Sequence, residues 1–341
     1  MCRHSGIGTY IRSLLQRLTL KLEYDFTLFG KLEQIVNYPA KKVSAEFPIY
    51  SLREQFLLPY LLERHPVKLL HLPHYNVPLG YSGRIVVTIH DLIHLKFPPS
   101  RAAYFYARTM LEAACRKAAM ILVNSQNTKN DLMEMLGVKE EKIMVSLLAV
   151  EPEEETQNKE LLALKKEHVL FVGNIKPHKN VITLIRAFKK AQIKNPDLKL
   201  VIVGKDFMPD LTALYRGDPG IEFLNEISPQ KIKHVYCRSR LLVLPSFYEG
   251  FGLPILEAMR WGVPVACSNV ASMPEVAGEA ALFFDPQDVG GLAQIISDVW
   301  ESESVRQGLI RKGYVQLEKF SWDRCAELTA QVYERSLVPG K

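Results

Sequence analysis

The sequence predicts an α/β protein made of two doubly wound, parallel-stranded domains. Short apolar runs such as Ile85-Val86-Val87-Thr88-Ile89, Leu200-Val201-Ile202-Val203 and Leu241-Leu242-Val243-Leu244 lack the polar alternation of a half-exposed strand. They read as strands buried on both faces. Such runs are followed by glycine, proline or polar turns and then by helical spacing, the strand–loop–helix alternation of a parallel sheet. The third observation is length: 341 residues suffice for two hydrophobic cores.

Composition narrows the class. Hydrophobic residues make up 48% and charged residues 23%, ordinary for a globular chain. No apolar run approaches the ~18–20 residues that span a bilayer, and Met1-Cys2-Arg3-His4-Ser5-Gly6 has no apolar core of a secretory leader. Cys2, Cys115, Cys237, Cys267 and Cys325 are scattered and form no C-x-x-C pair. That pattern argues against a metal site or a disulfide framework and for a reducing, cytoplasmic setting. The net charge of +6 is uneven: residues 1–150 carry 19 Lys+Arg against 12 Asp+Glu, and residues 151–341 carry 24 against 25. A first half at +7 can attract an anionic membrane surface or a phosphorylated acceptor; an ordinary solvated surface explains it equally well. No RRM, KH or zinc-finger pattern points to nucleic acid.

The chain opens on Gly6-Ile7-Gly8, a loop entering a helix with Leu14, Leu15, Leu18 and Leu20 at helical spacing. By itself this is a weak phosphate signal. Asp25–Phe29 reads as a strand, 31–50 as loop with weak strand, and 51–64 as a helix ending before Pro66. Leu69–Leu72 is a strand running into the loop Pro73–Asn76. The strand Ile85–Leu92 ends in polar residues, which places His90 at a carboxyl end, where ligands gather in open sheets. A helix over 101–118, a strand over Ala119–Asn124, a helix over 128–136 capped from Ser125, and a strand over Ile143–Ser146 complete this half. In a sheet of order 3-2-1-4-5-6 the first strand is central, yet only five residues precede Gly6. Its absence would leave two neighbours with unpaired backbone groups. The expectation is a chain that begins upstream or a weakened first domain.

Glu151-Pro152-Glu153-Glu154-Glu155 reads as a linker between residues 1–150 and a second domain over 151–320. That domain opens with the strand His168–Gly173, the turn Asn174-Ile175-Lys176-Pro177-His178-Lys179-Asn180 and a helix over Val181–Ala191. Lys179 at a helix N-terminus adds a cation suited to a diphosphate. Strands follow at Lys199–Gly204 and Glu222–Ile227. The run Leu241–Pro245 leads into Ser246-Phe247-Tyr248-Glu249-Gly250-Phe251-Gly252-Leu253-Pro254-Ile255-Leu256-Glu257-Ala258-Met259. Pro254 suits a first helical position and Gly262 a C-terminal cap, predicting a helix over 254–261 with Glu257 in its first turn. Helix N-terminal amides reached through a glycine loop bind anions; the two carboxylates can accept from sugar hydroxyls. Val263–Cys267 is a further strand, and Phe320-Ser321-Trp322-Asp323 starts a last helix, over 321–341.

The string from Ser246 to Met259 resembles the E-x7-E signature of the retaining family 4 glycosyltransferases, with Glu249 and Glu257 as its two acids. That family has the GT-B fold, two Rossmann-like domains facing a cleft, crossed by the C-terminal helix. The resemblance extends to Thr88-Ile89-His90-Asp91-Leu92, to the phosphate turn ending at Lys179, and to Ser272–Val276 and Ala280–Pro286. Many members carry arginine where this chain has Asn174. The resemblance implies a hexosyltransferase that uses a nucleotide-diphosphate sugar, GDP-mannose or a UDP-sugar, and no metal or other cofactor. Its acceptor would be a glycan or lipid-linked oligosaccharide in cell-surface polysaccharide synthesis, handled in the cytoplasm or peripherally on the inner face of the plasma membrane.

For the site it implies His90, Glu249 and Lys179 in catalysis. It assigns Gly8, Asn174, Lys179, Asn225, Ile227, Ser246, Glu249, Phe251, Gly252, Leu253 and Glu257 to donor binding. Lys179 and the amides near Phe251-Gly252-Leu253 would stabilise the leaving diphosphate, Glu257 would accept from the ribose and Glu249 from the transferred sugar. A nucleophilic Glu249 is less consistent with that assignment than front-side displacement. Two other readings fit the same residues: a non-catalytic or impaired nucleotide-sugar binder, and a GT-B epimerase or phosphorylase.

Overall fold

In the computed structural model the described residues are 6–21, 24–47, 51–151, 164 and 166–338. They carry β1 (Thr27–Gly30), β2 (Lys41–Ser44), β3 (Leu70–Leu72), β4 (Ile85–Ile89), β5 (Ala118–Val123), β6 (Ile143–Val145), β7 (His168–Val172), β8 (Leu200–Val203), β9 (Ile221–Leu224), β10 (Ser239–Leu244), β11 (Val265–Ser268) and β12 (Ala281–Phe284). Contacts divide the chain into one unit of residues 1–148 with 321–341 and a second of 149–320. Of the acidic linker only Glu151 is described; 152–155 lie outside the described residues.

In the first unit the sheet is broken. β1 and β2 form a parallel pair, and β3-β4-β5-β6 form a separate four-stranded parallel sheet. β4 is buried along its whole length, in keeping with a sequence that is apolar but for Thr88. Helix Arg101–Lys117 covers the sheet with Ala107, Met110, Leu111 and Ala114, all buried. Helix Trp322–Leu337 packs on β4 and β5, bringing Val332 against Val86 and Leu122. Arg84 donates to the carbonyls of Ser336 and Leu337 at 3.0 and 2.8 Å, a cation at the negative end of that helix. Two expectations change here. The strand stops at Ile89, leaving His90 just beyond it, and Gly8 lies within helix Gly6–Lys21, not in a loop.

The second unit has one continuous parallel sheet, ordered β12-β11-β10-β7-β8-β9. From β7 the chain winds outward through β8 and β9, then returns to β10 on the other side and continues through β11 and β12. The strand order therefore switches between β7 and β10, the place where a doubly wound sheet opens a crevice at its carboxyl ends. Helix Val181–Gln192 buries Val181, Leu184, Ile185, Ala187, Phe188 and Ala191 and packs against helix Val289–Glu301. The latter and Glu303–Leu317 are helices the sequence reading does not assign. The strand expected at Glu222–Ile227 ends at Leu224, which puts Asn225 and Ile227 in the following loop.

Candidate active site

The two loops at the β7/β10 switch are held together before any side-chain chemistry begins. After β7, a 3₁₀ turn Pro177–Lys179 leads to Asn180, whose φ of 52° is left-handed. Asparagine tolerates that conformation because its short amide bonds locally. Here it donates to the carbonyls of Pro245 at 3.0 Å and Pro286 at 2.7 Å, pinning the loops after β7, β10 and β12. The Phe247 amide donates to His178 O at 2.8 Å. Lys179 is thereby fixed opposite the loop that carries Glu249.

Lys179 Nζ lies 2.6 Å from both carboxylate oxygens of Glu249, and Ser246 Oγ donates to Oε1 of the same carboxylate at 2.7 Å. The pair is largely sheltered, with 20% and 11% of the two side chains exposed. Sequence reasoning names all three residues without pairing them. At Gly173 an added Cβ would stand 3.9 Å from Lys179 Cε, so the end of β7 runs directly beside the lysine tip.

The glycine loop leads into helix Leu253–Arg260. Gly252 is its N-cap at φ 101°, a conformation that L side chains rarely adopt, and an added Cβ would meet Ile255 Cδ1 at 3.2 Å. Because Gly252 turns this sharply, the helix starts one residue before Pro254. Glu257 consequently falls in the second turn rather than the first. It does not act as a helix-dipole acid; instead Tyr236 Oη donates to its Oε2 at 2.6 Å. Burial, then the charge of Glu257, pushes the Tyr236 hydroxyl well above its usual range, so it remains a donor. Fully buried Ser272 holds the loop from behind, its Oγ 2.9 Å from the carbonyls of both Glu249 and Phe251. The Phe251 ring is buried and packs edge-on against Phe320. Tyr236 and Ser272 escape the sequence reading. Ser272 stands in a quoted motif; Tyr236 carries no local signal.

Asn174 is exposed at the end of β7, and its Oδ1 accepts from the Lys205 amide at 3.1 Å. Leu253 and Ile227 are half-buried and Asn225 is exposed. The remaining candidates belong to the first unit. Gly8 is buried. His90 is buried, and its Nε2 donates to Pro73 O at 3.1 Å, which leaves Nδ1 as the acceptor nitrogen. The Tyr10 ring stands edge-on to it at 5.0 Å. Burial lowers the His90 pKa, opposed by the Asp91 charge, so the imidazole is neutral near pH 7. Among the described residues no group of three or more His, Cys, Asp or Glu is placed to hold a metal ion, and no helix is long and apolar enough to cross a membrane.

Comparison with solved structures gives the class. Sucrose-phosphate synthase from Thermosynechococcus elongatus superimposes with a TM-score of 0.78 at 19% identity, over 97% of this chain and 93% of that one. Anabaena Alr3699/HepE, solved with UDP and glucose, gives 0.75 at 17% identity over 98% and 97%. The fold is GT-B. Sequence gives the family: the model for "Glycosyl transferases group 1" matches residues 152–316 and that for "Glycosyltransferase Family 4" residues 4–154. O-antigen chain mannosyltransferase B of Escherichia coli is 28% identical over 97% of this chain and 96% of its own length. The chain belongs to the family 4 glycosyltransferases and is a glycosyltransferase.

Proposed function

We propose that the chain is a retaining hexosyltransferase. It takes a sugar from a nucleotide-diphosphate donor, GDP-mannose or a UDP-sugar, and passes it to a glycan or lipid-linked acceptor in cell-surface polysaccharide synthesis. The observation that carries this reading is the sheltered Lys179–Glu249 pair at the β7/β10 switch, beside the amides that open helix Leu253–Arg260. The similarity to an O-antigen mannosyltransferase favours mannose; the UDP held by the Anabaena protein favours a nucleotide diphosphate of either base.

As the anomeric bond breaks, the sugar turns cation-like and the diphosphate gains negative charge. Lys179 and the loop amides stabilise that developing charge, the electrostatic contribution that usually dominates. A diphosphate oxygen displaces one Glu249 oxygen from the ammonium group, which frees the carboxylate to accept sugar hydroxyls while Ser246 keeps it oriented. Glu257, steadied by Tyr236, accepts from the ribose. His90 offers Nδ1 to a hydroxyl of the transferred sugar. The new bond forms on the face the diphosphate leaves, and the departing phosphate oxygen takes the acceptor's hydroxyl proton, so charge and atoms balance without a metal. The work belongs on the cytoplasmic side, at an inner membrane surface where lipid-linked acceptors reside.

The test is transfer from GDP-mannose and a panel of UDP-sugars to lipid-linked acceptors, with and without EDTA, and the anomeric configuration of the product read by NMR. Retained configuration and EDTA-resistant turnover are expected. Inversion would contradict the mechanism; tight donor binding with no transfer would leave a nucleotide-sugar binder.

A further inference from the structure

An exposed aromatic ring stands beside the phosphate turn with two ammonium groups against it. Phe207, in the loop after β8, is 50% exposed. Lys176 Nζ and Lys205 Nζ lie 5.0 and 5.2 Å from its ring centroid. Neither lysine forms an ion pair with a described carboxylate.

The loop that presents this ring is built, not slack. Ile175 pairs with Asp206 as a parallel bridge: the Ile175 amide donates to Lys205 O at 2.9 Å and the Phe207 amide to Ile175 O at 3.1 Å. The Asp206 carboxylate accepts from the Met208 amide at 2.8 Å, Thr212 Oγ1 at 2.5 Å and Arg216 Nη2 at 2.8 Å, closing the turn behind Phe207. Asn174 ties the same loop to β7 through the Lys205 amide. The loop also borders the candidate donor residues. A Cβ at Gly204 would stand 2.2 Å from Gly173 O, and Gly173 adjoins the Lys179 tip. On the other side the Gly204 amide donates to Leu224 O at 3.0 Å, immediately before Asn225.

We propose that Phe207 is the stacking platform for the donor's nucleobase, and that Lys176 and Lys205 select a base that carries a carbonyl oxygen, uracil or guanine. This rests on the donor-site reading above. A base needs a π-face and donors for its edge; an exposed phenyl ring supplies the first and two ammonium groups the second. On binding, an ammonium group held against the ring by cation–π attraction exchanges that contact for a base carbonyl. Adenine, which has no carbonyl, gains only the stacking.

The test is calorimetric titration of the full chain and of Phe207→Ala, Phe207→Trp and Lys179→Ala with UDP, GDP, ADP and inorganic pyrophosphate. Phe207→Ala is expected to weaken UDP and GDP by about tenfold, to leave pyrophosphate unchanged, and to be rescued by Phe207→Trp; ADP should bind the native chain more weakly than UDP or GDP. If UDP and GDP bind Phe207→Ala as they bind the native chain while Lys179→Ala loses affinity, the platform is wrong and the donor site stands. If both variants bind like the native chain, both readings fall. Equal affinity for ADP overturns the role of the lysines.

Discussion

In the second unit the polar side chains gather at the carboxyl ends of β7 and β10, each tied to a loop a few positions away from a glycine or proline. In the first unit they run instead beneath the C-terminal helix. Tyr10 and His71 both bond to Thr88 Oγ1, at 2.9 and 2.8 Å, and His71 Nδ1 meets Tyr333 Oη at 2.6 Å. The first arrangement lies at the strand-order switch of a continuous sheet, where the proposed donor would exchange partners with it. The second is saturated by its own partners and binds helix Trp322–Leu337 to the sheet. Under the proposed function, the contrast separates polar groups held for a ligand from polar groups consumed by the fold.

The sharpest way to break the contrast is Lys179→Ala. Loss of one charge-assisted contact should cost about 1.5–3 kcal/mol, roughly ten- to a hundredfold in kcat/KM. Unchanged kcat/KM with the correct donor would put Lys179 in the same class as His71. Next in size is Ser272→Ala, which removes a buried hydroxyl from two carbonyls. A loss of about 1–3 kcal/mol in denaturant unfolding is expected, accompanied by a raised KM; a destabilised variant of native KM would make Ser272 a purely structural contact.

The first unit is probed by pH. Burial, helped by the charge of His90, lowers the His71 pKa to about 3, so the folded chain keeps this ring neutral where the unfolded chain protonates it. Its contribution is complete above the unfolded value of ~6.5 and is lost as pH falls toward the folded value. Unfolding free energy should therefore drop by up to about 1.4 kcal/mol per pH unit across that window. His71→Gln should flatten the slope and leave nucleotide affinity at pH 7.5 unchanged; an unaltered slope would contradict the assignment. The smallest effect expected is that of Tyr236→Phe, a few-fold loss of nucleoside-diphosphate affinity that disappears with a 2′,3′-dideoxy ligand. Glu257→Gln should likewise weaken nucleotide binding more than it slows saturated turnover. Equal loss with the dideoxy ligand would mean that the tyrosine merely packs.

Much of this was legible in the sequence, for identifiable reasons. β8 is wholly apolar and β4, β7 and β10 are apolar but for Thr88, His168 and Ser239-Arg240, because both faces are buried, and the Ser246–Met259 string carries its glycines, proline and acids within one loop and one helix. Pro254 marks a helix start only to within a residue, so the sequence alone puts Glu257 a turn early; the φ of Gly252 decides. Helix Val289–Glu301 was hidden by Gly290 and Gly291 in its first turn, although Asp288 caps it. The short, exposed β2, with only Val43 buried, has too little apolar pattern to announce a strand. The contacts of Tyr236 and Ser272 are invisible along the chain because their partners lie 21 to 23 positions away, and Phe207 meets Lys176 from 31 positions on as well as neighbouring Lys205.

A crystal structure with GDP-mannose or a UDP-sugar bound tests the central claim most directly. The diphosphate is expected on Lys179 Nζ and the amides near Phe251-Gly252-Leu253, the ribose on Glu257, and Glu249 turned from the lysine to the sugar. A bound donor lying elsewhere, with the Lys179–Glu249 pair still closed at 2.6 Å, would contradict it.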